Sequence, residues 1–208
     1  TFATNHDMTR LASRLSVAGD DALRLVAAAV MTLPGTPWLY YGQELGLRNG
    51  PTSDDIDKRL PMQWADGPGV GFTAGAPWAA PRSELLADSV AGQTDDPESL
   101  LALYRRLIAL RAATPALQRG SATVLDAEGT AGVPFVLHRT FEDQAVLVVL
   151  NVANEPSTIT VTSGLPEQPT LVNLLGDEAV TVSGESGPLT LPELPAYGVY
   201  VLGSGEAP

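Results

Sequence analysis

Apolar and polar positions follow two different rhythms in this chain, and the change falls near residue 116. The chain opens on a short apolar run that ends abruptly in Asn5, His6 and Asp7. Asp20 is placed to cap a helix with its body at residues 21–31, where Ala, Leu and Val dominate and most faces are expected to be buried. Pro34-Gly35 stops it. Residues 36–42 then read as a fully buried strand, short, aromatic and bounded by Pro and Gly. Strand, helix and strand within about forty residues predict a βαβ unit with parallel strands and a right-handed crossover.

Residues 43–97 have little periodicity, because Gly and Pro interrupt every potential element. Trp64, Phe72 and Trp78 argue for an ordered loop excursion, with the three rings expected to pack as its core and residues 83–96 as its mobile portion. Next comes the clearest helix, with Asp96 as its expected N-cap and Pro97 in the first turn. Leu100, Leu103, Tyr104, Leu107, Ile108 and Arg111 recur at helical spacing, Arg105 and Arg106 face solvent, and Thr114-Pro115 ends the element.

From Gly120 onward the period shortens to two. Strands are predicted at 133–140, 145–152, 157–161, 170–174 and 199–202, with weaker candidates at 122–126, 180–182 and 189–191. Turn signals at Glu142-Asp143, Asn154-Glu155-Pro156, Gly164 and Gly184 separate them, and residues 203–208 read as a frayed tail. Such a series predicts an antiparallel sandwich or barrel. His138 falls mid-strand, as a packing or surface residue rather than a site.

Composition and charge add to this picture. An apolar fraction of 44% over 208 residues permits a sizeable core in one large domain or two small ones. The net charge of −12 argues against nucleic acid and anionic membrane surfaces as partners. The charge is uneven: residues 1–116 carry ten basic and thirteen acidic groups, net −3, and residues 117–208 carry two and eleven, net −9, as expected for two domains. Without cysteine there are no disulfides or thiolate metal sites, and no apolar run is long enough to span a bilayer. The chain opens directly on a strand-like segment without a basic leader, so it is expected to be cut from something longer.

The candidate chemistry lies at the first strand tip. An apolar strand delivering an amide, an imidazole and a carboxylate is how an α/β barrel presents its active side chains, although Asp7 is also placed to cap a helix beginning near Met8. Asp54, Asp55 and Asp57 are the nearest thing to a carboxylate cluster, and read as solvated rather than metal-liganding.

Several segments, in order over the first 119 residues or so, resemble the α-amylase family of glycoside hydrolases. They are Phe2-Ala3-Thr4-Asn5-His6-Asp7, then Leu33-Pro34-Gly35-Thr36-Pro37-Trp38-Leu39-Tyr40-Tyr41-Gly42-Gln43-Glu44-Leu45-Gly46, then Lys58-Arg59-Leu60-Pro61-Met62-Gln63-Trp64. Gly71-Phe72-Thr73, Pro77-Trp78, Asp96-Pro97-Glu98-Ser99-Leu100-Leu101 and Tyr104-Arg105-Arg106-Leu107-Ile108-Ala109-Leu110-Arg111 follow. Within the family the chain looks most like the α-glucosidase, oligo-1,6-glucosidase and bacterial α-amylase branch. The shorter loop before Arg59 leans toward an amylase-like member.

The resemblance implies an α/β plus all-β architecture. Residues 1–116 would be the last two βα units of a (β/α)8 barrel with a long active-site loop at 43–97, and residues 117–208 a C-terminal antiparallel β-sandwich with a structural role. It implies a retaining enzyme of double displacement, with Asp7 as the third catalytic carboxylate, which binds sugar hydroxyls and steadies the distorted ring. His6 and Arg59 would bind the same glucosyl unit. No segment resembles the family's nucleophile or acid/base motifs, so the chain alone is expected to be inactive, with the N-terminal part of the barrel and an α-glucan as its partners. No cofactor or metal ligand is evident, and the family's calcium would lie in that missing part. A glucosyltransferase or isomerase of the same family, or a non-catalytic relative, are the alternatives.

Overall fold

The computed structural model describes residues 1–83, 85–162, 171–176 and 188–203. The chain forms two compact units, Thr1–Val30 with Pro37–Arg106 and Met31–Thr36 with Leu107–Pro208.

The first unit begins with Phe2 in a parallel bridge to Trp38, supported by the Trp38 N–H on the Thr1 carbonyl at 2.8 Å. The parallel sense is that of a βαβ unit, but neither segment extends into a strand. The expected burial of 36–42 is also absent: Trp38 is 69% and Leu39 38% exposed. The reason is physical. A ladder grows when each strand has neighbours, and among the described residues these two have only one another.

Asp7 caps nothing. The Asn5 side chain accepts the Asp7 N–H at 3.0 Å, and the Met8 N–H bonds the Asn5 carbonyl in a tight turn. The first helix, α1 (Leu11–Arg14), starts after Arg10. Helix α2 (Gly19–Thr32) begins two residues earlier than its sequence boundary, from Gly19 at φ 79°, and buries Ala22, Leu23, Leu25, Ala27, Ala28, Val30 and Met31. Leu11, Ala12 and Leu23 form a small apolar core, with Ala3, Leu15, Val26 and Leu100 against it.

The excursion after residue 42 is ordered by hydrogen bonds rather than by its aromatic rings. Gly42 turns it at φ 77°, where a Cβ would meet the Leu47 side chain at 2.7 Å. Helix α3 (Asp55–Lys58) is a single turn. Residues 83–96 carry a 3-10 turn at Leu86–Asp88 and helix α4 (Val90–Gln93), tied down by the Val90 and Ala91 N–H groups on the Gln63 and Trp64 carbonyls. Trp64, Phe72 and Trp78 do not form the loop's core. They are 50%, 41% and 53% exposed, and Leu60 and Val70 are buried instead.

Helix α5 (Leu100–Ala113) starts later than Asp96. The Asp96 carboxylate accepts only the Glu98 N–H, in a turn ahead of the helix, while the Ser99 hydroxyl accepts the Ala102 N–H at 3.1 Å and so acts as the cap. Leu101, Leu103, Tyr104, Leu107 and Leu110 are buried, whereas Ile108 is 48% exposed. Helix α6 (Pro115–Arg119) follows with Pro in its first turn.

In the second unit, β1 (Ser121–Val124), β2 (Ala127–Gly129), β3 (Phe135–Phe141), β4 (Gln144–Leu150), β5 (Ile159–Val161), β6 (Val172–Asn173), β7 (Leu189–Thr190) and β8 (Val199–Gly203) pair antiparallel throughout. They form sheets of order β1-β3-β4-β8-β6 and β2-β5-β7. Val136, Leu147, Val149 and Leu202 of the first share one core with Ile159, Val161 and Leu189 of the second. Strand β2 has no apolar run and escapes the sequence pattern. The candidate at 180–182, the turn signals Gly164 and Gly184, part of 170–174 and residues 204–208 lie outside the described residues; Gly203 itself closes β8. His138 is half-buried in β3 between Thr123 and Leu147 on the neighbouring strands, and burial pulls its pKa down.

Two arginines are buried in this unit without a carboxylate partner among the described residues. Arg139 donates to the carbonyls of Thr32, Leu117, Gly120 and Ser121, and Arg111 to those of Met31, Leu33 and Gly35. Carbonyls at helix and turn ends carry partial negative charge, so each guanidinium is satisfied by a set of them. Arg111, which the helical pattern places on an apolar face, is part of this arrangement.

Candidate active site

The turn at the end of the first segment projects His6 and Asp7 outward, both more than 60% exposed at the side chain. The Asp7 carboxylate is gripped on both oxygens, by His6 Nε2 at 3.3 Å and by Arg59 Nη2 at 2.8 Å. Arg59 Nε also donates to the His6 carbonyl at 3.2 Å. The three site residues named from sequence, Asp7, His6 and Arg59, are therefore brought together across fifty positions of chain.

The same guanidinium reaches Asp55 at 3.2 Å, and Lys58 Nζ bridges Asp55 at 2.9 Å and the Asp7 carbonyl at 3.3 Å. Asp55 is thus held below the usual carboxylate range, first by its hydrogen bond to Lys58 and then by the Lys58 and Arg59 charges. It stays ionised near neutral pH, so it does not suit the role of a proton donor.

What holds Arg59 in place escaped the sequence reading. The Lys58 carbonyl accepts from Arg10 Nε at 2.8 Å and the Tyr40 hydroxyl at 3.2 Å. The Arg59 carbonyl accepts the Trp78 indole N–H at 3.1 Å, and the Leu60 carbonyl accepts the Tyr41 hydroxyl at 2.6 Å. Four side chains thus pin three consecutive carbonyls.

Arg10 is the centre of this frame. It is 1% exposed, donates a second bond to the Tyr41 carbonyl at 2.8 Å, and lies 4.5 and 4.7 Å from the ring centroids of Tyr40 and Tyr41. Its Nη2 has no hydrogen-bond partner among the described residues, which leaves the two ring faces as its compensation. Burial, with help from Tyr41, pushes the Tyr40 hydroxyl up to about 12, so it remains a donor at all ordinary pH. The one sequence signal for Arg10 was a charge at the start of an apolar helix, three residues past Asp7.

Beneath the turn, Thr4 donates to Gln43, whose amide donates to the Tyr104 hydroxyl at 2.6 Å. Phe2, Thr4, Asn5, His6, Trp38, Leu39 and Tyr40 line a cavity of about 380 Å³ beside it.

The acidic run does not gather. Asp55 faces Lys58 and Arg59, and Asp57 turns back to accept from the Thr52 N–H and hydroxyl. Among the described residues no three His, Asp or Glu side chains come together in a way that could hold a metal ion. No helix among them is long and apolar enough to cross a membrane.

Residues 1–120 match the family model described as the alpha amylase catalytic domain. The chain belongs to the alpha-amylase family. Among family relatives, the probable oligo-1,6-glucosidase 2 of Bacillus subtilis (strain 168) is 29% identical over 195 residues, covering 74% of this chain. The chain spans about a third of that relative's length, 34%. Solved family structures are similar over nearly the whole chain. An alpha-amylase from H.orenii has a TM-score of 0.73 at 28% identity, over 98% of this chain and 39% of that one. The alpha-glucosyl transfer enzyme XgtA has a TM-score of 0.77 at 29% identity, over 97% and 39%.

Proposed function

We propose that this chain supplies one side of the active site of a retaining glycoside hydrolase that cleaves α-glucosidic bonds in starch-derived oligosaccharides. The observation that carries the reading is the Asp7 carboxylate held between His6 and Arg59 at an open turn. An oxocarbenium-like transition state is stabilised by nearby negative charge and by hydrogen bonds to sugar hydroxyls that strengthen as the ring flattens. Asp7 supplies the charge and accepts from hydroxyls; His6 and Arg59 bind the same glucosyl unit. Their mutual pairing keeps all three oriented before substrate arrives.

Double displacement also needs a nucleophile and an acid/base carboxyl, about 5–5.5 Å apart. Asp55 is the carboxylate that shares Arg59 with Asp7, and its two cationic partners disqualify it as the acid. No segment here resembles the family's nucleophile or acid/base motifs, so the resemblance assigns both groups to the rest of a (β/α)8 barrel, of which residues 1–116 would form the last two βα units. The parallel Phe2–Trp38 bridge supports that assignment. Residues 117–208 would be its C-terminal β-sandwich. The chemistry given to Asp7, His6 and Arg59 requires no cofactor, and the Asp54–Asp57 run does not fit calcium, because both Asp55 oxygens face cations and Asp57 is engaged by Thr52.

The test is made in the protein that carries these residues with the remaining barrel. Asp7→Asn should lower kcat on maltooligosaccharides by roughly 10²–10³ while the unfolding midpoint is kept; a variant with undiminished turnover overturns the assignment. The 208 residues expressed alone should show no turnover of maltooligosaccharides or of an aryl α-glucoside. The likeness to a glucosyl transfer enzyme favours one second reading, transfer to a sugar acceptor, which product analysis separates from hydrolysis.

A further inference from the structure

We propose that Asp55 is a positioning residue of this site, bracing both Arg59 and the Asp7 turn so that the two meet the glucosyl unit in a fixed relation. The inference rests on the reading of Asp7, His6 and Arg59 as a glucosyl-binding group.

In a helical turn, positions three and four residues apart lie on one face. Asp55 opens α3 and so faces Lys58 and Arg59 together: its Oδ1 accepts from Lys58 Nζ at 2.9 Å and its Oδ2 from Arg59 Nη2 at 3.2 Å. One carboxylate thus serves two cations. The helical turn is fixed separately, from its other side. Asp57 is buried, its carboxylate accepts from the Thr52 N–H and hydroxyl, and its carbonyl accepts the Gly50 N–H at 2.9 Å. The spacing therefore divides the acidic run: Asp57 anchors α3 to the loop, and Asp55 is left to reach the site.

What Asp55 adds is a hold from outside the Asp7 turn. Among the described residues, the Arg59 guanidinium otherwise bonds only to that turn, through Nε to the His6 carbonyl and Nη2 to the Asp7 carboxylate. With those two bonds alone, the cation and the turn would be free to shift together. Lys58 Nζ, which grips the Asp7 carbonyl at 3.3 Å, is tied to the same Asp55. The guanidinium and the turn backbone are therefore both referred to one carboxylate on an independently anchored element. Arg59 Nη1 makes no hydrogen bond among the described residues, and these contacts leave it for a sugar hydroxyl. Asp7 has to accept from substrate hydroxyls while it shares Arg59 Nη2, and Asp55 keeps that cation paired as the sharing changes. Each pair is exposed and by itself worth little, so the effect lies in the network.

The experiment is steady-state kinetics on a maltooligosaccharide, in the protein that carries the remaining barrel. Asp55→Asn keeps the shape and removes the charge. It should raise KM about three- to fivefold, the range open to exposed ion pairs, and leave kcat within about twofold, because a better-held Arg59 binds ground state and transition state alike. Asp54→Asn removes the same charge one residue earlier, from a side chain that makes no cap bond, and should change neither constant. The substrate is uncharged, so salt acts on the protein's own charges. At about 1 M NaCl the KM of the unsubstituted protein should approach that of Asp55→Asn, whose own KM should move less. In an Arg59→Ala background, Asp55→Asn should change KM by less than about twofold. An unchanged KM overturns the brace, as do an equal rise with Asp54→Asn, the same salt dependence in both proteins, or an undiminished effect without Arg59. A lowered unfolding midpoint with unchanged KM also overturns it, by making these pairs a packing element of α3. If the unsubstituted protein does not turn over the oligosaccharide, the hydrolase reading fails. Calorimetric titration with the oligosaccharide then decides the brace: binding weakened by Asp55→Asn with Arg59 present but not without it sustains the proposal, and no binding or any other pattern overturns it.

Discussion

At the scale of single residues, Arg10 sets the geometry around Asp7 without touching it. Its guanidinium joins the carbonyls of Tyr41 and Lys58, and the latter begins the segment that carries Arg59. Arg10→Met keeps the volume but takes a donor from two part-buried carbonyls, of which that of Lys58 keeps the Tyr40 hydroxyl. Each such loss costs about 1–3 kcal/mol, so a destabilisation of roughly 2–4 kcal/mol is expected, read from urea unfolding of the protein that carries the remaining barrel. Arg10→Lys keeps the charge but cannot bridge both carbonyls, and should fall between. A loss within about 0.5 kcal/mol, the range of surface substitutions, would show that the frame does not depend on this residue. Asp7, His6 and Arg59 were legible as a set because they sit in recognisable segments. The roles of Arg10, Tyr40, Tyr41 and Trp78 were not legible, although the last three lie in such segments too, since each works through a main-chain carbonyl far along the chain, and carbonyls carry no sequence signal.

At the scale of elements, local chemistry located the two long helices, α2 and α5, but misplaced their starts, and the short helices α1, α3, α4 and α6 escaped it. Asp96 and Ser99 both have good capping side chains, and sequence preference favours the first acidic one met. Packing decides for Ser99, because its hydroxyl is buried between the Gln93 and Asp96 carbonyls and the Ala102 N–H. Ser99→Ala should cost about 1 kcal/mol or somewhat more, and Asp96→Ala a few tenths, in the same unfolding measurement. Equal losses would return the cap to Asp96. The β region was legible from its period-two pattern, except β2, which has no apolar run beyond Ala127 and pairs with β5.

Strand β3 also carries a pH dependence. Burial lowers the pKa of His138, so the unfolded chain binds its proton more readily than the folded one. The stabilising contribution is complete above the unfolded value of about 6.5 and is lost as pH falls through the lower folded value. Unfolding midpoints taken from pH 7 downward should fall less steeply for His138→Gln than for the unsubstituted protein, and parallel profiles would rule the group out.

At the scale of the whole molecule, the two units are stabilised differently, and that difference has a measurable consequence for these 208 residues expressed alone. In the second unit, antiparallel ladders run without interruption through β1, β3, β4 and β8 and close on a buried core. In the first, the ladder is one bridge, and Phe2, Trp38 and Leu39 stay exposed around a cavity of about 380 Å³. The strand pattern was legible there because residues 36–42 are written for burial on both faces. Its failure to form a strand was not legible, since a parallel ladder depends on neighbours that no single segment encodes. Amide exchange follows the free energy of the smallest opening that frees each N–H. Amides of β3, β4 and β8 should therefore exchange slowest, near the global limit. The Trp38 N–H, bonded only to Thr1, should exchange at nearly the rate of an unstructured amide. When the remaining barrel is present in the same protein, neighbouring strands should cover both segments, and the Trp38 N–H should become strongly protected. Slow exchange at Trp38 in the isolated chain would mean that the first unit needs no further strands, and unchanged exchange in the longer protein would remove these two segments from the barrel.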